Sequence, residues 1–200
     1  MINTIIFDFG DIFINLDKQA TVDGLKNLGL TEWNEDLDRL NIQFEKGLIK
    51  RDDFLFGIQK HIPNASIDEI LEAWNAVLTD FPLYRLEFLQ MLSEKYRLFL
   101  LSNTDSIHIE KFEQTSGQSF YTDFYRCFDK VYFSFEMGMR KPDSEIYLSL
   151  LNKHDLQPKR TLFVDDKKEN TDAALALGIN VWNLQVGKED VVDLFNKDIL

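Results

Sequence analysis

Cysteine is almost missing from this 200-residue chain, with Cys127 the single one. An internal disulfide framework is therefore excluded, and a reducing, cytoplasmic setting fits. Cys127 itself reads as a buried filler, because no histidine lies near it in sequence. Positive charge is the second shortage. Lys and Arg total 22 against 34 Asp and Glu, a formal charge of −12. So acidic a chain argues against a nucleic-acid or anionic-membrane partner. An anionic small molecule would need a locally positive site, built from Lys, helix ends or a metal ion. No run of 18 or more apolar residues occurs, so no membrane span is expected. Strand pattern starts within the first residues, so no secretory leader is expected either. Internal repeats and low-complexity segments are lacking. What the chain has in quantity is phenylalanine: 17 residues in a composition that is 44% hydrophobic. An aromatic-heavy core of ordinary size follows.

The first seventeen residues organise the rest. Asn3-Thr4-Ile5-Ile6-Phe7 is a short apolar run rich in β-branched residues and reads as a buried strand. It ends in Asp8, and Phe9-Gly10-Asp11 turns the chain, glycine permitting a tight path. Residues 18–28, 31–44, 50–62 and 66–78 then show helical spacing, the last opening with a capping-box pattern at Ser66 and Glu69. Four helices in succession, with no strand among them, suggest a small helical subdomain at 17–81. From residue 82 strands and helices alternate. Helices are expected over 82–95 and 106–115, from Pro142 to His154, and over 170–177. Strands are expected over 96–101, 130–135, 161–164 and 179–184, with an acidic helix at the end. Residues 116–129 support no assignment. The alternation implies an α/β architecture, a doubly wound parallel sheet with right-handed crossovers. Residues 1–16 and 82–200 form its core, because the strand at 5–7 would otherwise lack a sheet.

Four strand ends carry polar groups: Asp8; Ser102 and Asn103; Lys141 shortly after a strand; Asp165 with Asp166. In a doubly wound sheet such ends meet in one crevice. Three carboxylates gathered there repel one another unless a cation sits among them. Oxygen-only ligands select a hard ion, Mg²⁺ being usual beside phosphate. Lys141 adds a fixed positive charge for a substrate anion, and Ser102 and Asn103 add hydrogen-bond donors. Asp8 is left as a nucleophile, established chemistry for a carboxylate in phosphoryl transfer.

Asp8-Phe9-Gly10-Asp11, Leu100-Leu101-Ser102-Asn103-Thr104, Arg140-Lys141-Pro142 and Phe163-Val164-Asp165-Asp166 with Asn170, in that order, resemble the four motifs of the haloacid dehalogenase (HAD) superfamily. The resemblance spans the whole chain, with the helical stretch where that family inserts a cap, and looks nearest to its sugar-phosphate-phosphatase-like group. It implies that Asp8 attacks phosphorus and binds Mg²⁺ together with the Gly10 carbonyl and Asp166. Asp165 would bind the metal directly or through water. Ser102 and the Asn103 amide would hold the phosphoryl group, Lys141 would balance charge, and Asn170 would orient the loop. One departure stands out. Most phosphatases of the superfamily carry an acid two residues after the nucleophile, where this chain has Gly10. Losing general acid–base catalysis typically costs about 10²–10⁴ in rate. Asp11 next door is either a stand-in acid or a residue tolerating a left-handed turn.

The implied function is Mg²⁺-dependent hydrolysis of a small phosphorylated metabolite, such as a sugar phosphate, by a monomer or homodimer. Metal-independent dehalogenation is one alternative, which would leave Asp165 and Asp166 without purpose. A catalytically weak phosphate-binding protein is another. His108 reads as a helix-face residue and His61 and His154 as helix-end residues. Trp33 and Trp74 read as packing, with Asn75 beside Trp74 a weak candidate to face the site. Glu45, Lys46, Lys50 and Arg51 surround a loop that either is simply solvated or closes over the site.

Overall fold

Thr4–Phe7 forms β1 and is buried along its whole length, as a strand covered by helices on both faces must be. In the computed structural model, which describes residues 1–197 and 199–200, β1 is the middle of five parallel strands. Arg97–Ser102 (β2) pairs on one side, with Ile5 opposite Leu98, and Thr161–Asp165 (β4) on the other, with Ile5 opposite Leu162. Lys130–Phe133 (β3) lies outside β2 and Asn180–Asn183 (β5) outside β4, giving the order β3-β2-β1-β4-β5. Strand order therefore reverses at β1, the place where open parallel sheets form a crevice past their carboxyl ends.

Alternation along β1 sorts its side chains between two cores. Ile5 and Phe7 face a cluster with Phe9, Phe13, Leu89, Phe112 and Phe124. Ile6 faces the opposite cluster with Phe99, Phe163, Tyr147 and Leu150. The phenylalanine excess is concentrated on the first side. Phe13 meets Phe7 edge-on at 5.3 Å and Phe9 stacks on Phe124 at 5.4 Å. Each such burial contributes about 1.5–3 kcal/mol. The helices covering the sheet are Leu83–Ser93, Ser106–Ser116, Gln118–Arg126, Ser144–Lys153 and Lys168–Ala176.

Before them in sequence come α1 (Lys18–Asn27), α2 (Glu35–Glu45), α3 (Arg51–Gln59) and α4 (Ile67–Asn75). These four build their own apolar cluster around Leu37, Phe44, Phe54, Ile58 and Trp74. Two segments running in opposite directions join them to the sheet. The Asn15 amide donates to the Asp80 carbonyl at 2.9 Å and the Asp17 amide to that of Val77 at 2.8 Å. Arg85, in α5 (Leu83–Ser93), secures this junction. Its guanidinium donates to the Phe13 carbonyl at 3.1 Å, the Asn15 side chain at 2.8 Å and Asp190 at 2.8 Å.

Several local expectations need correction. Helix α2 starts at Glu35 and not at 31, because the Asn34 side chain accepts from the amides of Asp36 and Leu37 and fixes the start there. The unassigned stretch after Ser116 holds a helix, Gln118–Arg126 (α7), following α6 (Ser106–Ser116). Strand β3 stops at Phe133, short of 135. The Ser134 hydroxyl exchanges hydrogen bonds with the Thr104 backbone, and a single helical turn, Ser134–Met137 (α8), follows. Helix α9 starts at Ser144 and not at Pro142, whose bond to Lys141 is cis. The acidic tail is a 3₁₀ turn, Val191–Asn196, capped by Asp190, and not an α-helix; residue 198 lies outside the described residues. Among the described residues no helix is long and apolar enough to cross a membrane.

Candidate active site

Asp8 sits one residue past β1, its amide tied to the Val164 carbonyl of β4 at 2.9 Å. The chain then turns sharply. Asp11 adopts φ +59°, its amide donates to Ile14, and the Phe13 amide donates to Phe9. The left-handed turn at residue 11 is thus real. The Asp11 carboxylate is also engaged, accepting from the Leu16 amide at 3.1 Å and from Lys18 Nζ at 2.8 Å. Glycine at position 10 lets Leu16 close in: a Cβ there would lie 2.7 Å from Leu16 Cδ1.

Lys141 is the hub. Its side chain is shut off from solvent, and Nζ lies 2.8 Å from Asp8 Oδ1 and 2.7 Å from Asp165 Oδ2. Its main chain is clamped by Asn103. The Asn103 amide group donates to the Lys141 carbonyl at 2.8 Å, and its side-chain oxygen accepts from the Lys141 amide at 2.9 Å. Asp165 is fully engaged by protein donors. Besides Lys141, the Lys167 amide donates at 2.8 Å and Asn170 Nδ2 at 3.0 Å to each oxygen. Asn183, in β5, donates to the carbonyls of Asp165 and Asp166 and holds that loop. Asp166 carries a looser partner, Lys18 at 3.6 Å.

Oxygens of Asp8, Asp165 and Asp166 lie within 4.8 Å of one another. Burial, reinforced by Asp165 and Asp166 against the pull of Lys141, raises the Asp8 carboxyl to about 6. Asp166 is raised too, by burial, with Lys18 opposing and Asp165 and Asp11 adding. Lys141 is pushed up: burial works against its charge, and the two carboxylates outweigh it. With protein charges alone the pocket is short of positive charge. The donor set, carboxylates with the adjacent backbone, fits a hard divalent cation. Asn170, on the cavity wall, has a buried Oδ1 without a protein partner, an acceptor left over for a bound group. The cavity lined by Asp8, Gly10, Lys18, Asn103, Lys141 and Asp166 is small, about 60 Å³. Of the expected site residues, Asp8, Gly10, Asn103, Lys141 and Asp166 meet on its wall. Asp165 lies behind it and Ser102, buried at the end of β2, is not part of the lining.

The helical segment is pressed onto this crevice. Glu45 pairs with Arg140 at 2.9 Å, Lys46 with Asp143 at 2.9 Å and Arg51 with Glu110 at 2.5 Å. Gly47, at φ +64°, lies so close that a Cβ would come within 2.1 Å of the Phe135 carbonyl oxygen. Trp74 is sandwiched between Trp33 and His108, and its indole donates to Asp105 at 3.1 Å. His108 is no mere helix-face residue: its ring bridges Asp105 and the Trp74 carbonyl, each at 3.0 Å. Sequence reasoning missed Lys18, which read only as the start of a helix, and Asn183, and it named Asn103 for its backbone amide and not for the side-chain clamp on Lys141. Such long-range bonds leave no local pattern.

Comparison with known proteins agrees with this geometry. A family model described as haloacid dehalogenase-like hydrolase matches residues 5–184. A D-ribitol-5-phosphate phosphatase from Bacteroides thetaiotaomicron is 26% identical over 199 residues, covering 94% of this chain and 95% of its own. The crystal structure of the HAD family enzyme bt-2542 from the same organism superposes with a TM-score of 0.88 at 36% identity, covering 98% of this chain and 99% of its own. Wild-type bt-2542 has also been solved in complex with magnesium and inorganic phosphate, at TM-score 0.85 and 35% identity, over 94% of this chain and 97% of that one.

Proposed function

The chain belongs to the haloacid dehalogenase-like hydrolases, and on that premise we propose that it is a Mg²⁺-dependent phosphatase of small phosphorylated metabolites, sugar and polyol phosphates among them, working in the cytoplasm through an aspartyl phosphate on Asp8. The observation that carries this reading is Lys141 Nζ held between Asp8 and Asp165, with Asp166 beside them. The magnesium complex of bt-2542 and the polyol-phosphate substrate named for the 26% identical relative support it.

Asp8, Asp166 and the Gly10 carbonyl would hold the metal, with Asp165 behind them anchoring Lys141 rather than ligating. When bound, Mg²⁺ supplies charge neutralisation for the transferring phosphoryl oxygens. Lys141 keeps Asp8 ionised and aimed, and its ammonium balances charge as the Asp8 oxygen bonds to phosphorus and the ester oxygen departs. Asn103 fixes the Lys141 backbone, so the ammonium needs no reorganisation during the reaction. Water then cleaves the aspartyl phosphate, releasing inorganic phosphate and restoring the carboxylate. Helices α1–α4 act as a lid. The cavity, about 60 Å³, is smaller than a sugar, so a sugar-sized leaving group requires the lid to lift.

A panel of metabolite phosphates with Mg²⁺, run beside Asp8→Asn, tests the reading. Phosphate release is expected from the wild type, lost in the variant and abolished by EDTA. Release that persists in Asp8→Asn, or chloroacid turnover that survives EDTA, would overturn it.

A further inference from the structure

The leaving oxygen gains negative charge as its bond to phosphorus breaks, and the pocket must meet that charge. Lys141 is committed on the other side: it is buried, and its ammonium is held by two carboxylates. The acids lining the cavity are engaged as well. Asp8 is held by Lys141, Asp11 by the Leu16 amide and Lys18, and Asp166 by Lys18. Residue 10 offers no side chain, and Leu16 packs against it.

Lys18 differs from Lys141 in its exposure and in the element that carries it. It is the first residue of α1 and so belongs to the lid, yet its Nζ reaches Asp11 at 2.8 Å and approaches Asp166 at 3.6 Å. Its side chain is 58% exposed, which leaves it free to swing. It lines the same cavity as Asp8, Gly10 and Leu16. We propose that Lys18 is a further catalytic residue, a lid-borne cation whose ammonium donates a hydrogen bond to the departing ester oxygen. The inference rests on the phosphatase reading above. As the Asp8 oxygen bonds to phosphorus, the ester P–O electron pair passes to the leaving oxygen. That oxygen takes its proton from water, and Lys18 keeps its own three, acting as a fixed positive charge. A preorganised donor of this kind acts on developing charge. Its contribution is therefore large for alkoxide leaving groups, as in sugar or polyol phosphates, and small for a leaving group that is stable as an anion.

The test compares two esters, D-ribitol 5-phosphate and p-nitrophenyl phosphate, in the full-length protein with Mg²⁺. Lys18→Met is expected to lower kcat/KM on the alkyl ester by about 10²-fold and on the aryl ester by less than about threefold. Lys18→Arg, which keeps the charge, recovers most of the loss. Equal losses on both esters would overturn the proposal, as would no loss on either. So would a loss repaired by raising Mg²⁺, because Lys18 would then be serving the metal ligands. Asp8→Asn keeps the two ideas apart. If that variant still releases phosphate, the phosphatase reading itself falls. If it is inactive while Lys18→Met treats both esters alike, only the role of Lys18 falls.

Discussion

Lys141 is among the largest wholly buried side chains in the protein, in the company of Tyr147 and several phenylalanines. An ammonium in such a place costs several kcal/mol unless paired and hydrogen-bonded, and Asp8 and Asp165 supply that pairing. The acids themselves stand out in the sequence because each ends an apolar run. What surrounds them does not. The Asn103 clamp on Lys141 spans 38 residues and joins a side chain to main chain, so neither periodicity nor composition signals it. His108 illustrates the same limit and gives a pH prediction. Burial would lower its value, but Asp105, the Trp74 carbonyl and Glu45 outweigh burial and raise it above 6.5. Asp105 is lowered from 3.8: burial opposes, and His108, two backbone amides and the Trp74 indole prevail. A raised histidine contributes stability in full below its unfolded value and loses it as pH climbs through its folded value. The lowered aspartate contributes above its unfolded value and loses it on acidification. The pair is thus worth most between about pH 3.8 and 6.5. In urea melts from pH 6 to 9, the stability gap between wild type and His108→Gln should narrow as pH rises; a constant gap would show that His108 is not charged in the fold.

At the scale of elements, the parallel strands were legible because full burial gives them uninterrupted apolar runs, and the helices α1–α4 because their apolar spacing is regular. The short α8, set by the Ser134–Thr104 hydrogen bonds, and the late start of α9 at Ser144 were not. The docking of α2 on α8 depends on Gly47, whose positive φ and contact with the Phe135 carbonyl oxygen exclude a side chain. A non-glycine residue forced into that conformation costs of order 1–3 kcal/mol. Gly47→Ala is therefore expected to lower kcat/KM and to increase hydrogen exchange in α2, while Leu48→Ala, at an exposed neighbour, changes neither. Arg85 is the corresponding device at the junction of the sheet and the α1–α4 segment. Replacing it with Met takes a donor from the Phe13 carbonyl, the Asn15 side chain and Asp190, which keeps the Tyr84 hydroxyl and the Val192 amide. The expected cost is about 1–3 kcal/mol, seen as a lower urea midpoint with an unchanged m-value.

For the molecule as a whole, the acidic balance of −12 and the crowding of Asp8, Asp165 and Asp166 mean that the fold carries repulsion at its crevice that Lys141 and Lys18 relieve only in part. A cation that binds only the folded form stabilises it by mass action. At a hundredfold excess over Kd the gain is about 2.7 kcal/mol. Differential scanning calorimetry should therefore show a melting temperature that climbs with Mg²⁺ in the wild type and stays flat in Asp166→Asn. A wild-type midpoint indifferent to magnesium would count against the metal site.

The narrowness of the chamber reaches beyond binding. A space of about 60 Å³ is smaller than a sugar phosphate, and on the reading proposed above the lid lifts to admit one. If the lid opens in this way, each turnover includes a mechanical half-cycle in which Glu45 and Lys46 let go of Arg140 and Asp143 and find them again. Throughput would answer to the friction of the medium as well as to bond-breaking. Added glycerol or sucrose should slow kcat, and moderate salt, by weakening those surface pairs, should ease the door open.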